Sequence, residues 1–133
     1  MCANLHFTII AFTFHKSERL CSRKKIDLLF GKGASSYSAP VKLMYMKDDP
    51  ALDVPAQAMF VVPKRNVKHA VNRNTLKRRM RESYRLFKPE LYEALRERKV
   101  ILAFIYTSSK EEAFEKIDQA VKKSIKKMLA ELV

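Results

Sequence analysis

Seven consecutive apolar residues, "VILAFIY" from Val100 to Tyr106, constrain the fold of this chain more than any other stretch. A strand with one face in water alternates apolar and polar side chains, so a run apolar at every position suits a central strand covered on both faces. "APVKLMYMK" does alternate, with Val41, Leu43 and Tyr45 on one side and Lys42, Met44 and Met46 on the other, and reads as a half-buried strand. "AMFVV", Ala58 to Val62, is a short apolar run with β-branched residues, read as a further strand that Pro63 ends.

Three helical patterns accompany these strands. In "SERLCSRKKIDLLFGKG", Ser22 can cap a helix whose apolar rhythm uses Leu20, Ile26, Leu29 and Phe30, and Gly31 and Gly33 stop it. A basic helix is expected from about His69 to Phe87, closed by Pro89. In the last segment, Ser108 or Ser109 with Glu111 or Glu112 makes a capping box, and Phe114, Ile117, Val121, Ile125, Met128 and Leu132 form the stripe of a surface helix. "DDPALDVPA" breaks both helix and sheet and is a surface connection. The expected fold is α+β: a single-domain two-layer α/β sandwich, with a small mixed sheet of about four strands packed with three helices in the order α-β-β-α-β-α.

At 133 residues the chain has the size of one domain, and its 47% apolar content excludes wholesale disorder. Residues 1–13 read as an N-terminal extension, either a strand or ill ordered, ahead of a single domain over 14–133. "LHFTIIAFTF", Leu5 to Phe14, is too short to span a bilayer and lacks the flanks of a signal peptide. Cys2 and Cys21 are isolated thiols with no CxxC and no His at metal spacing, which argues against a zinc site and for reduced thiols in a cytoplasm.

The formal charge is +13, and it is concentrated. "KRNVKHAVNRNTLKRRMRESYR", Lys64 to Arg85, holds nine Lys or Arg against one acid, Glu82. At about 100° per residue, Arg73, Asn74, Lys77, Arg78, Arg81 and Arg85 fall on one arc, Leu76, Met80, Tyr84 and Phe87 on the adjoining one, and Arg79 outside both. A solvated helix face mixes signs in i,i+4 pairs; this arc has none, so its mutual repulsion must be offset by a partner. A membrane-binding helix would need large exposed apolar residues, which are few here. Phosphate fits better: Arg and Lys supply charge and donors, and Asn can meet a ribose, a phosphate or a hydrated metal ion.

These residues carry a resemblance. "VPKRNVKHAVNRNTLKRRMRE" resembles the signature of the protein subunit of bacterial ribonuclease P in its paired Lys64 and Arg65, Ala70 and Val71, Arg73 and Asn74, Lys77 and Arg78, and Arg81. "RLCSRKKIDLLFGKG" is similar to that family's opening helix, with Arg19, Leu20, Phe30 and Gly33 in register, and the likeness covers roughly Phe14 to Leu129. Thr75 stands where the family's Arg-Asn-Arg core has its second Arg, and Ile26 where an aromatic is expected; the resemblance then implies one guanidinium fewer and weaker base stacking.

The resemblance implies an accessory subunit of a ribonucleoprotein endoribonuclease. Its partners would be ribonuclease P RNA and precursor tRNA, with no membrane and no protein partner required, and Mg²⁺ would be bound mainly by the RNA. Lys64, Arg65, Lys68, Arg73, Asn74, Lys77, Arg78 and Arg81 would dock on the catalytic RNA, Asn74 with a further contact to an RNA-bound Mg²⁺. Phe30, Tyr45 and Phe60 would stack on the single-stranded 5′ leader. The residues themselves offer no catalytic site: Asp48, Asp49 and Asp53 sit in the Pro-rich connection without a second acidic cluster, and His6, His15 and His69 are scattered. The rival readings are a stand-alone metal-dependent nuclease, a DNA-binding module and a ribosomal-type RNA-binding protein with no role in cleavage; the sheet-rich remainder fits DNA binding poorly.

Overall fold

The computed structural model describes residues 16–48, 54–96 and 98–132. Four strands, β1 (Ala34–Ser38), β2 (Val41–Lys47), β3 (Ala56–Val61) and β4 (Val100–Tyr106), form one sheet in the order β1-β2-β4-β3. The β3–β4 pair is parallel and the other two pairs are antiparallel, so the sheet is mixed. Three helices complete the α+β fold: α1 (Arg23–Lys32), α2 (Ala70–Leu95) and α3 (Phe114–Leu132). A short 3-10 turn, Lys16–Glu18, precedes α1. The extension over 1–13 and the carboxylates Asp49 and Asp53 lie outside the described residues.

The uninterrupted apolar run is the inner strand β4, flanked on both sides and covered on both faces. One face carries Val100, Leu102, Phe104 and Tyr106, with Val41, Leu43 and Tyr45 of β2 and Ala56 and Ala58 of β3; α2 and α3 close over it with Leu76, Met80, Tyr84, Leu91, Ile117, Val121, Ile125 and Met128. The other face carries Ile101 and Ala103, onto which Leu20 and Leu29 pack with Ile26, Met44, Met46 and Met59. Every large side chain so placed leaves water, and at about 25 cal/mol per Å² that burial dominates what holds the layers together.

Four local expectations need correction. The strand Ala34–Ser38 had no signal, because "ASSYS" neither alternates nor contains a β-branched residue. Its edge position, paired only to β2, asks little of its side chains. Leu20 belongs not to α1 but to the segment before it, where its N–H donates to the Ala58 carbonyl, 3.0 Å; Ser22 does cap α1, accepting from the Lys25 N–H, 3.4 Å. Helix α2 runs through Pro89 to Leu95. Proline removes one helical hydrogen bond, but buried Phe87, Lys88, Leu91, Tyr92 and Leu95 bracket it and offset that loss. Helix α3 starts at Phe114, not at a Ser108 or Ser109 cap. The Glu112 N–H instead donates to the Tyr106 hydroxyl, 3.1 Å, and its carbonyl accepts from Arg79, 2.7 Å, so tertiary partners hold this stretch as a loop.

Candidate nucleic-acid interface

Helix α2 buries one side against the sheet and α3 and turns the adjoining arc outward past the β3 edge. Asn74, Arg78 and Arg81 are exposed and Lys77 is half-buried, and together with Val71 and Thr75 they line an open groove of ≈ 400 Å³. Beside it lies a second concavity of ≈ 260 Å³, lined by Arg19, Leu20, Cys21, Ala58, Met59, Phe60, Lys77 and Arg81. Lys77 and Arg81 belong to both. The two hollows are thus one continuous cationic surface, apolar at its floor and rounding the β3 edge. Lys64, Arg65 and Lys68 are exposed on the loop leading into α2, and Asn66 ties that loop to the sheet by donating to the Tyr106 carbonyl, 3.2 Å.

Not every cation of the predicted arc points outward. Arg73 donates to the Val67 and Lys68 carbonyls, 3.1 and 2.7 Å, so its guanidinium braces the loop carrying Lys68. Arg85 pairs with Glu82 one turn back, which holds the Glu82 carboxyl below its usual range and raises the Arg85 guanidinium; the arc is acid-free only as far as Arg81. Arg79, outside the arc, holds the loop before α3 through the Glu112 carbonyl and the Glu111 carboxylate, the latter at 3.5 Å. Thr75 donates its hydroxyl to the Val71 carbonyl of its own helix, 3.0 Å.

The three aromatic positions separate. Phe30 is 44% exposed on α1. Tyr45 is 4% exposed, packed under α3 with its hydroxyl on Glu131, and offers no ring face to a base; strand alternation turned it into the core. Phe60 also points to the core face, stacked on Phe104 with centroids 5.3 Å apart and edge-on to Tyr84, and only its rim reaches the second concavity.

On the α1 side of the sheet, cross-strand register aligns Tyr37, Lys42, Ile105 and Val61 in one row. Tyr37 is 52% exposed and the other three are half-buried. Helix α1 lies over the next rows, and Lys25 bonds Asp48 at 2.8 Å toward the far sheet end. Phe30, about 140° round α1 from Lys25 at about 100° per residue, is exposed on the other flank of that helix. The row was missed because β1 was missed.

Sequence reasoning also missed a buried ion pair. Lys88, fully buried on α2, donates to Glu18 at 2.7 Å, and the two lie 70 residues apart. Burial pushes Lys88 below the ordinary lysine range, against the pull of Glu18. Burial likewise raises the neighbouring Tyr84 and Tyr92 phenols, and the Glu18 charge adds to it.

Among the described residues no three His, Cys, Asp or Glu side chains come together to hold a metal, and no helix is long and apolar enough to cross a membrane. The surface can bind a polyanion and stack unpaired bases at its margins.

Comparison with known proteins agrees with this geometry. The family model described as Ribonuclease P matches residues 14–129. The ribonuclease P protein component of Porphyromonas gingivalis is 33% identical over 116 residues, covering 86% of this chain and 85% of that protein. The component from Chlorobium phaeobacteroides is 41% identical over 83 residues, 60% of this chain and 57% of its own length. Among solved structures, the Staphylococcus aureus RNase P protein superposes with a TM-score of 0.70 at 18% identity, covering 85% of this chain and 96% of that one. The Thermotoga maritima RNase P protein gives 0.67 at 22%, covering 83% and 96%.

Proposed function

The chain belongs to the Ribonuclease P family, and from that premise we propose that its outward basic surface docks on the catalytic RNA while its sheet face receives the 5′ leader of precursor tRNA. The observation that carries this reading is the solvent-facing, acid-free set Asn74, Lys77, Arg78 and Arg81, continuous with Lys64, Arg65 and Lys68. Laid against RNA, these cations displace condensed counterions and lower the repulsion between two phosphate backbones brought together. Arg73 acts one step back, through the loop it braces.

Phe30 and Tyr37 supply stacking faces and Lys42 a charge for a single strand crossing the sheet face; Phe60 contributes its rim at the β3 edge. Mg²⁺ is held mainly by the RNA in this reading and supplies the Lewis acid for hydrolysis when bound. The described residues offer no acidic cage, and the exposed Asn74 amide can reach a water on an RNA-bound ion. Cleavage is then the RNA's chemistry, and the protein orients both RNAs.

The test adds purified protein to a bacterial ribonuclease P RNA at low Mg²⁺ and follows removal of the leader from precursor tRNA. Stimulation is expected with RNA and no cleavage without it. Protein-only cleavage would transfer the reading to a metal nuclease, and RNA binding without stimulation would leave a general RNA-binding protein.

A further inference from the structure

Lys77, Arg81, Tyr84 and Lys88 stand three or four residues apart and so share one stripe of α2. Lys77 and Arg81 face the basic concavity, whereas Lys88 ends the same stripe fully buried beneath Glu18, itself 1% exposed. A buried ion pair is a costly way to gain stability, because desolvation cancels much of the attraction. What this pair does is geometric. Glu18 closes the 3-10 turn, and the next three residues, Arg19, Leu20 and Cys21, form the wall of the concavity opposite Lys77 and Arg81. Past Glu18, the segment is tied to β3 by the Leu20 N–H on the Ala58 carbonyl and by the Arg19–Ala58 bridge. A one-residue slip there would carry Arg19 to the other side of the segment.

We propose that Glu18 and Lys88 are positioning residues that fix the register of the Arg19–Cys21 wall, and that Arg19 thereby joins Lys77 and Arg81 in holding one RNA phosphate path. This deepens the RNA-binding reading and rests on it.

The experiment measures binding of ribonuclease P RNA over a range of salt for four proteins: wild type, Arg19→Ala, Glu18→Ala/Lys88→Met, and the triple combination. The double variant leaves no charge in the interior, so the helix–sheet core can fold; circular dichroism checks this. Arg19→Ala is expected to make the slope of log K against log salt shallower by about one unit. The double variant should lose a similar amount, and adding Arg19→Ala to it should lose nothing more. Full additivity, or a double variant with wild-type affinity, would overturn the proposal, since a pair serving stability alone does not change what Arg19 contributes.

A second measurement needs no interior substitution. In Cys2→Ser protein, alkylation of exposed Cys21 should slow several-fold when the RNA is bound; an unchanged rate would equally overturn it. Lys77→Ala/Arg81→Ala separates the two readings. If that variant loses affinity while the Glu18–Lys88 variant does not, only the positioning role falls; if neither loses affinity, the RNA-binding reading falls as well.

Discussion

Two glycines two residues apart at the end of α1 should respond to the same substitution with opposite signs. Gly33 joins α1 directly to β1 and has an ordinary negative φ of -69°, so backbone freedom is not why glycine stands there. The reason is contact. A Cβ on Gly33 would run into the Leu29 carbonyl oxygen and lie 2.9 Å from Leu29 Cδ1 and 3.2 Å from the Tyr45 carbonyl oxygen. Two of these neighbours are backbone, one in α1 and one in β2, so relief requires the helix end to lift from the sheet. Overpacking of that kind costs about 1–3 kcal/mol, which for a domain of this size lowers Tm by about 4–12 °C. At Gly31 a Cβ meets nothing within 4 Å. Gly31→Ala should therefore gain about 0.5–1 kcal/mol from helix propensity and raise Tm by a few degrees. Thermal unfolding of both variants beside wild type, followed by circular dichroism, decides it. Gly33→Ala melting at or above wild type would refute the close-contact reasoning, and with it the seating of α1 that aims Phe30.

Three further outcomes are expected. Arg79→Ala should cost about 1 kcal/mol of stability through the lost hydrogen bond to the Glu112 carbonyl, its half-exposed pairing with Glu111 adding little, while RNA affinity falls far less than in Arg78→Ala; competition binding beside a thermal melt separates the two. Phe30→Ala should weaken binding of leader-bearing but not leaderless precursor tRNA by about 1–3 kcal/mol, whereas Tyr45→Phe should leave both affinities unchanged, because it removes only a hydroxyl that bonds Glu131 within the protein. Tyr84 and Tyr92 have folded pKa values raised above the ordinary 10.0, so their contribution to stability is complete below that pH and is lost as pH rises beyond it; a stability curve against pH should turn downward above pH 10, with the phenolate absorbance of the two residues appearing only as the chain unfolds.

The parts of the fold legible in the sequence are those whose signal is local. Burial on both faces writes itself as an unbroken apolar run, and β4 has the bounds read for it, Val100–Tyr106. Burial on one face writes itself as alternation, and β2 buries Val41, Leu43 and Tyr45 as expected. Strand β1 was silent because an edge strand of Ala, Ser and Tyr satisfies its backbone without contributing much core. Helix α2 outran its expected end because packing by Leu91, Tyr92 and Leu95 outweighs the local effect of Pro89. The cationic arc was legible from helical spacing, but not which of its members are spent on the protein itself. Arg73 bonds loop carbonyls and Arg85 meets Glu82, while Lys88, outside that arc and past the expected helix end, meets Glu18 across 70 residues. Pairing at that distance leaves no trace in periodicity.

The most direct measurement is the salt dependence of binding to ribonuclease P RNA for wild type and for Lys77→Ala/Arg78→Ala/Arg81→Ala. If these side chains lie against phosphates, the slope of log K against log salt should become shallower by about 2–3 units, at roughly 0.7–0.9 per contact, with the fold intact by circular dichroism. A variant that binds with the wild-type slope would mean that this outward row meets no backbone, and would contradict the assignment of α2 as the RNA interface.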